Sequence, residues 1–331
     1  MKQVYITDYM TPPPVLEQKE LESIAEVACL LAKSEEELRG RVERAHGLIV
    51  CHEVSIGRQV IESLEHCEAI VRCGVGFDQI DLQAAGECGI PVCNVPDYGV
   101  DEVADHAIMM MLACNRGLIR AERGLKQSLS PWGYHSVFPV HRLAGETIGI
   151  IGLGRIGIAT AKRAQAHRMN VIAYDPYLRP GMDKALNVQM MDFDDLLAES
   201  DVVSIHTPLT EETRHIIDAE ALSKMKSTAI LVNTARGAIV DIDALAEALK
   251  NQRIAGAGID VLPVEPPNEK IPLIKMWRED QAGRYNLIIT PHSAFYSEEG
   301  MEEMRTKAAR ELANILKGDQ PVNLVNGAFL K

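Results

Sequence analysis

The chain has 331 residues, 47% hydrophobic and 24% charged, an ordinary globular composition with enough apolar material for two cores. A net charge of −13 argues against nucleic acid as a partner and requires any anionic substrate to be drawn by a local basic pocket. No apolar run approaches the roughly 18 residues of a membrane span, and residues 1–8 alternate polar and apolar like a strand, unlike the continuous apolar core of a signal peptide.

Seven cysteines, Cys29, Cys51, Cys67, Cys73, Cys88, Cys93 and Cys114, fall in the first part of the chain. Their number is odd, none forms a CxxC pair, and most sit in apolar runs. They read as buried, reduced thiols in a cytoplasmic protein, with no metal site expected.

Taken in chain order, short apolar runs alternate with helix-compatible stretches. A first series of strands is expected at 3–7, 25–30, 47–51, 69–73 and 90–92, with amphipathic segments such as 34–45 and 58–65 between them. A long helix-compatible stretch follows over 100–126. A second series is expected at 147–151, 170–174, 202–205, 229–232, 256–260 and 286–290. These runs are continuous rather than alternating, as in parallel strands covered on both faces. Strand, helix, strand throughout predicts α/β architecture with two doubly wound parallel-sheet domains. The last amphipathic helix, 297–317, has no strand to follow, so it is expected to return to the first domain and make that domain discontinuous.

Residues 147–157 read TIGIIGLGRIG, placing Gly152, Gly154 and Gly157 as GxGxxG directly after an apolar strand and at the opening of a helix expected over 159–168. Gly152 permits the tight turn, Gly154 lets backbone approach a pyrophosphate, and Gly157 permits close packing of helix on strand. Arg155 and Ile156 offer amides at the helix N-terminus. Asp175 ends the next strand, where it would accept from the adenosine ribose hydroxyls and repel a 2′-phosphate. NAD is therefore the expected cofactor, although Arg179 lies close enough in sequence to be weighed on the side of NADP.

The strands of the second series end in polar residues: His206 and Thr207, Asn233 to Arg236, Asp260, and His292. Ligands of open α/β sheets bind beyond such carboxyl ends. Carbonyl reduction needs a cation to hold a carboxylate and polarise the carbonyl, which Arg236 can do through its planar fork. It needs an acid that titrates near neutrality, for which His292 stands. It also needs a carboxylate to orient that imidazole, and Glu265 is the candidate. Each residue alone has an ordinary structural reading; their combination beside a dinucleotide motif carries the argument.

The runs VRCGVGFDQID (71–81), NVPDYGVDEVADHA (94–107), GIIGLGRIG, HTPLT (206–210), LVNTARG (231–237), GIDV (258–261) and TPHSA (290–294) together resemble the D-2-hydroxyacid dehydrogenase family over essentially the whole chain. YDPYLRPG (174–181) and HSAFYSEEG (292–300) are more particularly similar to the branch related to the C-terminal-binding protein. The resemblance implies a Rossmann NAD-binding domain, 99–294, inserted into a discontinuous flavodoxin-like substrate domain, 1–98 and 295–331. It implies a catalytic trio of Arg236, Glu265 and His292, and hydride transfer between NAD(H) and a small 2-hydroxy or 2-oxo acid of D configuration. It further implies that Asp260 meets the nicotinamide amide and that the amides of Val75 and Gly76 hold the substrate carboxylate. Thr207, Pro208, Thr213, Thr234 and Ala235, with His206, would line the cofactor. A homodimer is implied, built on the 101–126 helix and the loop through Arg142, with Trp132, Tyr134 and Phe138 buried in it. The chain departs from the family in a longer connection after Glu265, PPNEKIPLIKMWREDQAGRY, and in Asp105, where the family usually has Glu.

A cleft between two such domains would close over a small molecule. Arg72, His52, Tyr98 and Phe295 are the candidates for its variable end; Arg72 could meet a second anionic group or serve a structural ion pair. Three rival readings remain. An NAD(H)-sensing scaffold or co-repressor-like protein would keep the cofactor motif, but the short stretch after the last helix offers no long regulatory tail. Formate oxidation on the same fold has no use for Glu265. A catalytically dead paralogue would not need the complete trio.

Overall fold

In a computed structural model describing residues 1–137 and 139–330, the chain divides into two compact units, Met1–Gly99 with Ser297–Lys331, and Val100–Tyr296. The first unit begins with strands β1 (Lys2–Ile6), β2 (Ala25–Cys29), β3 (Gly47–Val50), β4 (Ala69–Arg72) and β5 (Val92–Cys93) and helices α1 (Val15–Glu20), α2 (Arg58–Ser63) and α3 (Leu82–Glu87). All strand pairs are parallel, in the order β2-β1-β3-β4-β5. This is the flavodoxin-like order. Every residue of β3 and β4 is buried, which explains the unbroken apolar runs 47–50 and 69–71; β4 then ends in the buried Arg72.

The second unit opens with α4 (Val100–Asn115) and α5 (Leu118–Gln127). The expected single helix is thus two, because Gly117 at φ 62° turns the chain left-handed between them. The alternation continues through β6 (Thr147–Ile151), α6 (Arg155–Ala166), β7 (Asn170–Tyr174), α7 (Met182–Leu186), β8 (Gln189–Met190), α8 (Phe193–Glu199), β9 (Val202–Ile205), α9 (Ala219–Lys224), β10 (Ile230–Asn233), α10 (Ile242–Lys250), β11 (Gly256–Ile259), α11 (Pro272–Glu279) and β12 (Leu287–Ile289). The seven strands are parallel in the order β12-β11-β10-β9-β6-β7-β8, the Rossmann order extended by one strand. Apolar layers cover both faces: α4 and α6 contribute Met110, Met111 and Ala161 on one side, and α8 to α11 contribute Leu196, Leu222, Leu245 and Leu273 on the other. At Gly258 a Cβ would stand 2.7 Å from Met110 Cβ, so glycine is what lets α4 lie against β11.

The closing helix α12 (Glu298–Leu316) belongs to the first unit and packs on α1, β3 and β4. A Cβ at Gly47 would meet Leu312 at 2.7 Å, and Arg305 grips the buried Glu17 with two bonds of 2.6 and 2.8 Å. The segment 34–45 gives only one 3-10 turn, Glu35–Leu38, and Gly40 at φ 77° takes the chain out of helical conformation directly after it. Strand β8 was not anticipated: two residues are too few for any periodicity. No helix among the described residues is long and apolar enough to cross a membrane.

Candidate active site

The glycines of the β6–α6 turn differ in what they make room for. Gly152 has φ 91°, and a Cβ there would lie 2.9 Å from the backbone of His206 and Thr207. At Gly157 it would lie 2.0 Å from the Gly152 carbonyl oxygen. At Gly154 it would meet no protein atom within 4 Å, so internal packing does not call for glycine there. A ligand approaching the backbone would, and the first-turn amides of α6 beside it have no intrahelical acceptors. The helix starts at Arg155, earlier than expected, with Gly154 as its N-cap.

Asp175 follows β7. Its carboxylate accepts from the Leu153 amide at 2.8 Å and the Tyr177 amide at 2.9 Å, which fixes it beside the glycine turn. Arg179 is exposed. Across the turn, burial holds the His206 imidazole neutral, with a pKa pushed down to about 3, and its Nε2 pairs with Ser204 Oγ at 2.9 Å. Thr213 shapes the 208–213 loop, donating to the Pro208 carbonyl at 2.7 Å and accepting from the Thr210 amide at 2.8 Å. Thr234 is 8% exposed, and its buried hydroxyl has no hydrogen-bond partner among the described residues. A lone buried hydroxyl and an uncrowded glycine are what a bound dinucleotide would use, so these residues fit NAD.

The trio lies on the same unit. Asn233, at the end of β10, accepts from the Ala235 amide at 3.0 Å and donates to the Arg236 carbonyl at 2.9 Å, setting the turn that carries Arg236. Arg236 Nη1 donates to the Ala235 carbonyl at 2.8 Å. Glu265 accepts the Leu262 amide at 2.7 Å through one carboxylate oxygen and stands 2.7 Å from His292 Nδ1 with the other. The His292 and Glu265 side chains are 22% and 27% exposed, so the pair is sheltered yet reachable. Phe295 presents its ring edge-on to His292, with centroids 6.2 Å apart.

In the first unit, Asn94 Nδ2 donates to the Val75 carbonyl at 2.6 Å, and Gly74 at φ 144° turns the chain out of β4. Among the described residues, no protein group accepts from the amides of Val75 and Gly76. Arg72 is 8% exposed and donates to the Cys73 carbonyl, while its buried Nε has no partner. His52 is held by its amide, which donates to Asp8 at 2.7 Å, and its ring meets Tyr9 edge-on. Tyr98 is buried at 8% exposure.

Two groups escaped sequence reading. Asp8, 1% exposed, organises the His52 and Glu53 amides. His106 and Thr290 form a polar contact with Asp260 behind His292. Asp105, read as a family departure, pairs with Arg163 at 2.5 Å on the α6 side. Asp260 is only 2% exposed and its carboxylate receives protein donors. Trp132 and Tyr134 are 78% and 71% exposed, and Phe138 lies outside the described residues.

Comparison with known proteins matches this geometry. Residues 108–294 fit the profile of the D-isomer-specific 2-hydroxyacid dehydrogenase NAD-binding domain. The chain is 37% identical over 327 residues to a D-3-phosphoglycerate dehydrogenase of Methanocaldococcus jannaschii, covering 98% of this chain but 60% of that protein. A D-3-phosphoglycerate dehydrogenase of Archaeoglobus fulgidus is 38% identical, and this chain covers 55% of it, so the chain spans little more than half the length of these curated relatives. Among solved structures, the TT0316 protein of Thermus thermophilus superposes with TM-score 0.85 at 35% identity, over 98% of this chain and 99% of that one. D-lactate dehydrogenase of Aquifex aeolicus, solved with NAD and lactic acid, gives TM-score 0.85 at 30% identity over 98% and 99%. The chain belongs to the D-isomer-specific 2-hydroxyacid dehydrogenase family, and its second unit is that family's NAD-binding domain.

Proposed function

We propose that the protein is an NAD-dependent dehydrogenase that interconverts a small 2-oxo acid and the matching D-2-hydroxy acid. The observation that carries this reading is the 2.7 Å pair of Glu265 with His292 Nδ1 on the unit that bears the dinucleotide turn. The dinucleotide turn and Thr234 would hold NAD(H), which when bound would supply a hydride for C2 of the oxo acid or accept one from the hydroxy acid. Arg236 holds the carboxylate and polarises the C2 carbonyl through two nitrogens of one plane. With Nδ1 engaged by Glu265, Nε2 is the nitrogen of His292 that gives its proton to the C2 oxygen, or recovers it from the hydroxy acid. Glu265, itself held by the Leu262 amide, keeps the ring in that orientation. Thr207, Pro208, Thr213, Thr234 and Ala235 line the cofactor, and Asp260 takes the nicotinamide amide.

On the first unit, the amides of Val75 and Gly76 are the candidates for a substrate carboxylate, and His52 and Tyr98 those for its variable end; on the second unit, Phe295 is the candidate beside His292. A buried charge without a counter-ion costs several kcal/mol, which an anionic ligand offsets. Among the described residues no carboxylate pairs with Arg72, which favours a substrate carrying a second carboxylate, sulfonate or phosphate. The protein works as a homodimer in the cytoplasm; exposed Leu118, Leu129, Trp132 and Tyr134 support pairing through α5 and the following loop, and seven free thiols support a reducing compartment.

The test is NADH consumption with glyoxylate, pyruvate, hydroxypyruvate, branched and aromatic oxo acids, and phospho- or sulfo-substituted ones. At least one should be reduced efficiently, the doubly anionic acids best. NADH binding with no consumption for any acid would leave a nucleotide-binding scaffold instead.

A further inference from the structure

Behind His292 lies a second layer of polar side chains, drawn from α4 and the turns after β11 and β12. His292 sits in the left-handed region at φ 51°, and its amide donates to the Asp260 carbonyl at 2.8 Å. The Asp260 carboxylate accepts from the amides of the next two residues, Ser293 at 2.9 Å and Ala294 at 3.0 Å. It also accepts from the Thr290 hydroxyl at 2.5 Å. One buried side chain therefore ties the turn on both sides of His292, and a left-handed non-glycine residue persists only where its surroundings over-determine it.

Counting protons fixes the next link. A threonine hydroxyl carries one hydrogen and an ionised carboxylate none, so the Thr290 hydrogen goes to Asp260. His106 Nε2 lies 3.0 Å from the Thr290 oxygen and must therefore be the donor in that contact. The same nitrogen is 3.7 Å from Asp260 Oδ1, close enough for its positive edge to favour the carboxylate. His106 stands on α4, which packs against β10, β11 and β12, the strands whose ends carry Arg236, Asp260 and His292. The hydrogen-bond chain runs from His106 through Thr290 and Asp260 to the turn of His292, and all of it lies within one unit.

We infer that His106 is a positioning residue for His292, acting through Thr290 and Asp260. The inference rests on the reaction proposed above in treating the placement of His292 as functional. Its role is to donate from Nε2, which keeps the Thr290 hydroxyl aimed at Asp260 and the turn clamped. The Gln side chain can place an amide NH₂ near the same point, whereas Leu fills the space without a donor.

The test uses the full chain with His106→Leu, His106→Gln, Thr290→Val and the double variant His106→Leu/Thr290→Val. The proton NMR signal of the His292 ring, identified by its loss in His292→Ala, is followed together with kcat and KM for NADH-dependent reduction of glyoxylate. The Leu and Val variants should displace the His292 signal and lower kcat by about 10- to 100-fold, the scale of a misplaced catalytic group, with NADH affinity kept. The double variant should be no worse than either single one, as for links of one chain. His106→Gln should restore the signal and most of kcat. A His292 signal unmoved in both Leu and Val variants, additive losses, or a Gln variant as impaired as Leu would overturn the inference. Should the parent protein reduce no oxo acid, the reaction proposed above falls, while the NMR arm still decides whether His106 positions His292.

Discussion

At the scale of single residues, the acid–base pair and the cation make separable predictions. His292→Ala should lower kcat by about 10²- to 10⁴-fold while NADH still binds, the usual range for losing general acid–base assistance; turnover and NADH fluorescence titration check both halves. Arg236→Lys should be nearly as damaging, because an ammonium is a point charge that cannot hold carboxylate and carbonyl in one plane. A Lys variant with parental kcat/KM would refute the bidentate role. His206 gives a prediction about stability. An unfolded imidazole takes up a proton near pH 6.5, whereas burial keeps that of His206 neutral down to about 3. Between these values the unfolded chain binds a proton that the folded one refuses, so stability falls as pH is lowered from about 6.5 towards about 3. Urea midpoints at pH 7 and pH 5 should therefore converge in His206→Gln relative to the parent, and an identical pH dependence in the two proteins would contradict it.

At the scale of elements, the β6–α6 turn separates packing from binding. Gly157→Ala forces a methyl to 2.0 Å from the Gly152 carbonyl oxygen and should cost about 1–3 kcal/mol of stability as well as NADH affinity. Gly154→Ala meets nothing within 4 Å, so its melting temperature should stay near the parental value while NADH affinity falls. Calorimetry beside an NADH titration tests this, and unchanged affinity in Gly154→Ala would remove the pyrophosphate from that turn. Much of this element was legible in the sequence, because glycine spacing after an apolar strand is a local signal. The continuous runs of β3, β4, β9 and β10 were legible for the same reason. What was missed depends on contacts distant in sequence. The 100–126 stretch reads as one helix until Gly117 turns left-handed, β8 is too short to have a period, and 34–45 keeps only one turn. His106 was invisible as a functional group because Thr290 is 184 positions away and no motif joins them.

At the scale of the whole molecule, the strand order of the seven-stranded sheet decides where the polar residues collect. Arg236, Asp260 and His292 lie just beyond β10, β11 and β12, adjacent strands of one parallel sheet, so residues spread along the sequence meet at one edge. The Glu265–His292 contact could be anticipated from residue types and strand ends, but the 2.7 Å approach needed the turn that Asp260 clamps. Asp175, beyond β7 of the same sheet, should set cofactor choice: NADH should be preferred over NADPH by kcat/KM, and Asp175→Ala should narrow the gap. Equal efficiency in the parent would refute that assignment. The proposed reaction passes hydride directly to C2 of an oxo acid, with His292 protonating the C2 oxygen. The most direct measurement reduces the best oxo acid with NADH deuterated at the transferred C4 position and analyses the product by mass spectrometry and chiral chromatography. The expected product is the D-2-hydroxy acid carrying a single deuterium at C2; an L product, or one without deuterium at C2, would overturn the proposed reaction.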